Sequence, residues 1–573
     1  MRSPRTALFA VITVLGLSFW AFSQDTNRVP APAPGILSQP PAPAVGSFDE
    51  VVARVLERER VFNQQIRSLH PLIETYIQNL KDNDEMGVVP VSDQYFLSRL
   101  DIAGDKDERF LSSHPHPLRS ALMSFSKVSS LYAVRFLPLG FAQMVLIDDD
   151  FQRQDYNFSY VRREFLGEIR CLVIDVQPRK DAGKGRFVGR IWVEDQDYNV
   201  VRFNGTYSGS SRRSSYFHFD TWRVNMRPGV WLPAYIYSEE SEDQGRLSRS
   251  VHFKAQTRLW GYDLQHMNSN DSFTEILVDS PQSVHDQTVG SQDATPVESQ
   301  RLWEREAEDN VLERLQKSGL IAPEGEIDKV MQTVVNNLIV TNNLNIQPEV
   351  RARVLLTTPL ESFTIGHTIV LSRGLLDTLP DEACLATIVA HELGHIVLGH
   401  RLDTKLAFND RMFFPDEQTF RRMDFSRDDA QEQAADAKAV ELLEKSPYKD
   451  RLGNAGLFLK SLQAHSPELK NLIRAHLGNS LAKSDAVRMS ALLNSAPQLE
   501  PRKTDQIAAL PLGGRVKLDP WTNQVELVKT KPVSLTSARE KMPFEITPFF
   551  PYLTRMSTMS TDKVALTAPS KER

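Results

Sequence analysis

Five residues in the second half of the chain, His391-Glu392-Leu393-Gly394-His395, have the types and spacing that hydrolytic metal chemistry needs. On a helix, histidines four apart project from one face, so both imidazoles can bind a single ion. Glu392, one residue on, is rotated about 100° from His391 and can reach a water beside the ion rather than the ion itself. Catalytic zinc takes three protein ligands and keeps a position for water, so a third ligand is required. His400 fits poorly. In the spacing that places a third histidine soon after the second, Leu398 stands where a glycine is needed and His400 comes one residue early. His400 also lies about 140° from His395 on a continuing helix, and regains a role only if Gly399 ends that helix.

A better donor lies downstream, in Asp428-Asp429-Ala430-Gln431-Glu432-Gln433-Ala434-Ala435-Asp436. With Ser426 as N-cap and Ser446-Pro447 as the stop, this segment predicts a second helix. Glu432 and Asp436 share a face with small alanines between them, which lets the helix approach the first one closely. Glu432 is then the third zinc ligand, and Asp436 accepts a hydrogen bond from the far ring nitrogen of a ligating histidine. The plainer readings are a solvated acidic helix and two surface histidines. Against the second, His391 and His395 end an apolar run opened by Leu379-Pro380-Asp381-Glu382 and carried by Leu385, Ile388 and Val389. Buried histidines without partners are costly there.

The two motifs together resemble those of the BepA/HtpX-type zinc peptidases, relatives of the CAAX prenyl endopeptidases, over about residues 305–500. The resemblance implies His391, His395 and Glu432 as ligands of one Zn2+ per chain, Glu392 as catalytic base and Asp436 as a support to the ligands. The stretch from Ser362 to Leu376 looks like the family's strand and turn before the active-site helix. The resemblance implies that the strand near Ile365 to Val370 is a sheet edge pairing with extended substrate. The Ser-x-His-Pro stretch that often follows in the family has no clean match; Ala464-His465-Ser466-Pro467 and Gly478-Asn479-Ser480-Leu481 come nearest. The group that stabilises the oxyanion is therefore unassigned, with His400, His476 and Arg488 as candidates. The segment between the motifs, with Phe408, Met412, Phe413, Phe414 and Phe420, is either a short packed helix or a lid over the cleft.

These residues need a scaffold, and 573 residues exceed one ordinary core. The expected fold is multidomain α+β: a curved antiparallel β-sheet domain, then a mainly helical, gluzincin-like peptidase domain. Helix periodicity starts at Phe48 with Val51, Val52, Val55 and Leu56. From about Met86 to Leu264 short segments rich in Val, Ile, Phe, Tyr and Trp alternate with turn residues, among them 131–139, 143–150, 170–178, 185–195, 198–207, 231–240 and 248–263. The strand–turn–strand rhythm from Gly189 to Tyr207 resembles the LolA-like half-barrels of lipoprotein carriers, which hold acyl chains or peptides; a plain packed sheet is the alternative. Residues 48–270 form this helix-plus-sheet domain, 271–300 a polar linker, 301–500 the peptidase domain, and 501–573 a hairpin with a frayed tail.

Arg2 and Arg5 precede an uncharged apolar run at 6–22, and Ala21-Phe22-Ser23 offers a cleavage site before Gln24. Residues 1–23 thus read as a signal peptide and 24–47 as a Pro/Ala-rich spacer, which places the protein outside the cytoplasm, periplasmic or secreted; an uncleaved anchor is the alternative. The only cysteines, Cys171 and Cys384, read as two buried free thiols in different domains, with a single bridge as the other option. A net charge of −6 offers no basic field for nucleic acid. The expected function is an exported zinc-dependent endopeptidase in which metal-activated water attacks peptide bonds, with a role in cell-envelope protein quality control. Protein or peptide substrates are the expected partners, and association with a membrane surface is left open. The alternative is a non-catalytic lipid- or peptide-binding envelope protein, or a chaperone, with a vestigial peptidase domain.

Overall fold

The computed structural model describes residues 47–83, 87–100, 142–148, 151–183, 186–208, 215–243, 249–264, 296–400, 423–482 and 487–500, with short pieces at 516–518, 525–527, 544, 546, 548 and 551–556. The expected signal peptide, nearly all of the Pro/Ala spacer, the segment 131–139 and the phenylalanine-rich stretch 401–422 lie outside the described residues.

Helix α1 (Phe48–Gln65) starts in a capping box, in which Ser47 Oγ accepts from the Glu50 N–H and the Glu50 carboxylate accepts from the Ser47 N–H, both at 3.3 Å. Nine antiparallel strands follow: β1 (Leu72–Asn83), β2 (Gly87–Arg99), β3 (Tyr156–Leu166), β4 (Ile169–Pro178), β5 (Phe187–Glu194), β6 (Val200–Tyr207), β7 (Ser215–Arg227), β8 (Val230–Asp243) and β9 (Arg249–Trp260). Their order is β2-β1-β9-β8-β7-β6-β5-β4-β3, a meander from β3 to β9 with β1 and β2 added beyond it, so the sheet stays open. Bulges in the β1–β2, β3–β4, β5–β6, β7–β8 and β8–β9 ladders bend it. Helix α1 packs its Val52, Val55 and Phe62 inward. Arg223 of β7 fixes α1 with a buried two-pronged pair to Glu59 (2.5 and 2.9 Å) and lies 3.8 Å over the Phe62 ring.

One expected strand is not a strand. Ala142–Val145 is a 3-10 turn and Leu146–Ile147 continues without a ladder. Its apolar side chains are buried, but its carbonyls go to side chains of the sheet: Thr221 Oγ1 donates to Met144 O (2.7 Å) and Tyr207 OH to Leu146 O (3.0 Å). A run of buried apolar residues reads alike whether it plugs a sheet or joins one.

The second half begins with α2 (Pro296–Lys317) and α3 (Glu326–Thr341), then β10 (Arg351–Leu355), β11 (Ser362–Ile365) and β12 (Thr368–Ser372), in the order β10-β12-β11. Within the expected stretch only β11 lies at an edge of the sheet; Ile369 and Val370 belong to the central strand β12, because the chain reverses at Gly366 (φ +56). Only glycine fits that turn, since a Cβ would fall 2.0 Å from Glu308 Oε1. Then come α4 (Arg373–Thr378), α5 (Glu382–Val397), α6 (Asp429–Glu444), α7 (Leu452–His465), α8 (Lys470–Ile473) and α9 (Ser490–Ser495), followed by the two-stranded hairpin β13 (Val516–Leu518) and β14 (Val525–Leu527). One apolar cluster runs from Leu72, Tyr76 and Trp260 of the sheet through Leu315 and Leu320 to Ile388 and Leu459. Neither Cys171 nor Cys384 is in a disulfide, and both are buried. Among the described residues, no helix is long and apolar enough to cross a membrane.

Candidate metal centre

Helix α5 starts where Asp381 Oδ1 accepts from the Cys384 N–H at 2.9 Å. It ends at Leu398, and Gly399 (φ +70) turns the chain away. The N-cap of α6 is Asp428, not Ser426. Asp428 Oδ1 takes the Gln431 N–H at 2.8 Å, while Ser426 sits in a turn in which its own N–H goes to Asp424 Oδ1. The two helices touch at Gly394 and Ala435, where a Cβ on Gly394 would lie 2.8 Å from Ala435 O. That close approach carries Glu432 across to the histidines.

Three donors converge. His391 Nε2 lies 3.2 Å from Glu432 Oε2, His395 Nε2 lies 3.5 Å from Glu432 Oε1, and the two Nε2 atoms are 3.3 Å apart. All three residues are at most 3% exposed. A tetrahedral zinc with bonds of about 2.0–2.1 Å holds its donors about 3.3 Å apart, so these separations are the edges of such a site. Glu432 Oε2 is buried and receives no well-aligned hydrogen bond, although Arg488 Nε is 3.1 Å away as an ionic partner. Two imidazole nitrogens facing one carboxylate, all taken out of water, form a set that a divalent cation satisfies.

The far sides of the rings are occupied too. His391 Nδ1 lies 2.8 Å from Asp436 Oδ1, and His395 Nδ1 lies 2.9 Å from His400 Nδ1. His400 is thus not one of the three converging donors; because Gly399 ends the helix, it folds back onto the outer nitrogen of His395. Burial works against a charged His391, but Asp436 and Glu432 outweigh it and lift its pKa to about 10. Burial likewise works against a charged Glu432, yet His391 and His395 hold its carboxyl far below the usual range. The metal-free pocket therefore favours positive charge, which a cation supplies in place of a proton. Burial, His395 and Arg427 keep the pKa of His400 below its ordinary value.

Glu392 joins none of these contacts. It is 3% exposed and lines the same small cavity as His391, His395 and Glu432, with Ser362, Phe363, Phe425, Arg427, Asn479 and Arg488. A larger cavity of about 430 Å³ adjoins it past His395, walled by Trp303, Ala307, Val311, Ile365, Ile396 and Phe425 among others. Of the three candidates for the oxyanion, His476 is outside the cavity. Its ring packs 5.1 Å from Tyr95, its N–H goes to Glu361, and burial pushes its pKa down to about 4, so it stays neutral. Arg488 is engaged with Glu432.

Sequence reasoning passed over two residues here. Arg427 lies one position before the cap of α6, and Asn479 holds it by both ends: Asn479 Oδ1 accepts from the Arg427 N–H (2.6 Å) and Asn479 Nδ2 donates to Arg427 O (2.9 Å). Neither belongs to a periodic pattern. The stretch Gly478-Asn479-Ser480-Leu481 drew notice only as an imperfect stand-in for a His-Pro motif.

Residues 326–409 match the model of peptidase family M48. This is a family of metallopeptidases, and the matched segment spans α3 to α5 with His391, Glu392 and His395; Glu432 and Asp436 lie beyond it. No curated protein matches the chain in sequence. Among solved structures, a domain described as an outer membrane lipoprotein-sorting protein from Vibrio parahaemolyticus aligns at 14% identity and a TM-score of 0.21, covering 37% of this chain and 93% of that one. A DUF1329 family protein from Desulfovibrio piger aligns at 12% identity and a TM-score of 0.19, over 37% of this chain and 93% of its own. A LolA superfamily protein from Nitrosomonas europaea aligns at 9% identity and 0.19, over 38% and 93%. The two resemblances read from the sequence, to zinc peptidases and to LolA-like carriers, thus both recur in these matches. Scores this low carry no argument, and the account of the sheet rests on its own strand order.

Proposed function

We propose that the chain is an exported zinc-dependent endopeptidase in which His391, His395 and Glu432 hold the ion and Glu392 is the general base. The observation that carries this reading is the convergence of three buried donors at 3.2–3.5 Å, with a second buried carboxylate, Glu392, beside them and outside their contacts. A purely structural zinc site is closed by four protein ligands and has no place for such a carboxylate. Zinc, when bound, supplies a Lewis acid that polarises the scissile carbonyl and acidifies water. Glu392 takes the proton from the attacking water and delivers it to the leaving amine. Asp436 orients His391 through the far ring nitrogen. Among the described residues no strand pairs with the outer side of β11, and an extended peptide laid along it would present its backbone to the cavity.

Export rests on the apolar run at 6–22 and the Pro/Ala tract after it. In that compartment the substrates are protein or peptide, and clearance of damaged envelope proteins is the role that suits a peptidase coupled to a large open sheet. The test is zinc analysis together with casein degradation, with and without chelator, for wild type and Glu392→Gln. One zinc per chain in both proteins is expected, with turnover only in wild type and abolished by chelator. Ordinary turnover in Glu392→Gln removes the assigned base; absence of zinc removes the reading.

A further inference from the structure

Peptide hydrolysis through attack by water places a full negative charge on the former carbonyl oxygen. The new C–O bond forms as the C=O π pair moves onto that oxygen, and the water's proton goes to Glu392; the C–N bond then breaks as that proton passes to the amine. A donor waiting beside the oxygen lowers this barrier more than the ground state, because the charge exists only in the transition state. The sequence leaves that donor open among His400, His476 and Arg488. In the structure His400 backs a ligand, His476 is outside the cavity, and Arg488 is spent on the carboxylate of Glu432.

We propose that Arg427 is this donor. Its guanidinium lines the small cavity together with Glu392 and the three candidate ligands. Nη2 is committed to Thr364 Oγ1 on the edge strand at 2.6 Å, whereas Nη1 is buried and has no hydrogen-bond partner among the described residues. A buried N–H of a cation without an acceptor is costly, and such groups in native proteins await a ligand or water. Burial is also the leading influence on its ionisation, pulling the pKa of Arg427 down against the pull of Glu392 and Glu432. The residue does not swing freely. Asn479 grips its backbone on both sides and Thr364 fixes one prong of the fork, so the remaining prong is held in place before substrate arrives. Thr364 also ties the guanidinium to the strand along which the peptide would lie. One residue thus links where the substrate binds to where its carbonyl reacts.

This role rests on the peptidase reading, and its test separates the two. The full-length protein, Arg427→Ala and Arg427→Lys are compared on a casein-derived fluorogenic peptide and on its phosphinic analogue, whose tetrahedral anion mimics the transition state; zinc per chain is measured in each. Arg427→Ala should keep its zinc and nearly its KM, lose about 100-fold or more in kcat, and lose a similar factor in binding the phosphinic peptide. Guanidinium ion in solution should restore part of the Ala variant's rate, and Lys should fall between. Wild-type kcat in Arg427→Ala, unchanged phosphinic binding, or a loss confined to KM or to zinc content overturns the assignment, the last by showing a structural role. A wild-type protein that neither binds zinc nor cleaves removes the peptidase reading and this role with it.

Discussion

A ligating imidazole is only as well placed as the group behind it, and the two histidines of this site are backed differently. His391 has an acidic neighbour, Asp436, 2.8 Å from its outer nitrogen; His395 has a second histidine, His400, at 2.9 Å. A carboxylate fixes the tautomer and raises the basicity of the nitrogen that faces the ion, while a neutral imidazole fixes orientation with little electrostatic gain. Asp436→Ala should therefore weaken zinc binding about 10- to 100-fold, with Asp436→Asn less affected and His400→Ala least of the three. Competition against a chelator of known affinity measures this, and equal losses for Asp436→Ala and His400→Ala would contradict the ranking. At this scale the convergence of His391, His395 and Glu432 is legible, because i,i+4 histidines and a downstream Glu–Asp face follow from helix geometry. Arg427 is not, because it acts from a helix end, where an aspartate cap decides direction; His400 depends on whether Gly399 ends its helix, a condition visible in the sequence whose outcome only the fold decides.

Among the elements, periodicity revealed β4, β5, β6, β8 and β9 as well as α5 and α6, but β1 was hidden. Its sequence LIETYIQNLKDN places Glu74 and Gln78 among apolar residues, and both are buried because partners elsewhere satisfy them. The loop between α8 and α9 is held by another such group. Glu361 accepts the N–H groups of His476 (3.0 Å) and Leu477 (3.1 Å), at the root of the turn that carries Asn479. Burial, opposed by those two N–H groups and aided by Glu74, pushes its pKa from 4.5 up to about 7. Burial pushes that of His476 from 6.5 down to about 4, against a neighbouring backbone hydrogen bond and with the help of Arg474. The two act on stability with opposite sign. Glu361 binds a proton more tightly when folded, so its contribution is complete below pH 4.5 and lost as pH rises through about 7. His476 binds one less tightly when folded, so stability falls as pH drops from 6.5 towards 4. In wild type the slopes oppose each other between pH 4.5 and 6.5. Glu361→Gln removes the first, so its Tm should rise with pH across that window more steeply than that of wild type. Parallel Tm–pH curves for the two proteins would show that the pair does not titrate as described.

Across the whole molecule, the open sheet is part of what holds the cavity in shape. Glu74 of β1 accepts the N–H and the hydroxyl of Thr358 at 2.6 and 2.7 Å, and Tyr95 OH at 2.9 Å. Asp93 of β2 takes the N–H groups of Asn471 (2.9 Å) and Leu472 (2.7 Å), while Asn471 Nδ2 donates to Asp93 O at 2.9 Å. The two clamped segments meet where the Leu360 N–H donates to Leu472 O, and from them the chain leads through Glu361 and Leu477 to Asn479 and Arg427. Hydrogen bonds and short stretches of chain between them therefore join the strands at one end of the sheet to the wall of the candidate metal centre. Asp93→Ala leaves two backbone donors without acceptors, at about 1–3 kcal/mol each, and frees residues 471–479. Casein turnover should fall and hydrogen exchange at 471–479 should quicken while zinc content holds, because His391, His395 and Glu432 lie on α5 and α6, outside that loop. By the same physics, a fragment of residues 296–573 lacks the partners of Thr358, Asn471 and Leu472 and loses the bond from Trp260 Nε1 to Gly319 O. It should unfold at lower temperature and turn over casein poorly even when loaded with zinc. A fragment with full-length Tm and turnover would mean that the helical half shapes its own site and the sheet merely rides upon it.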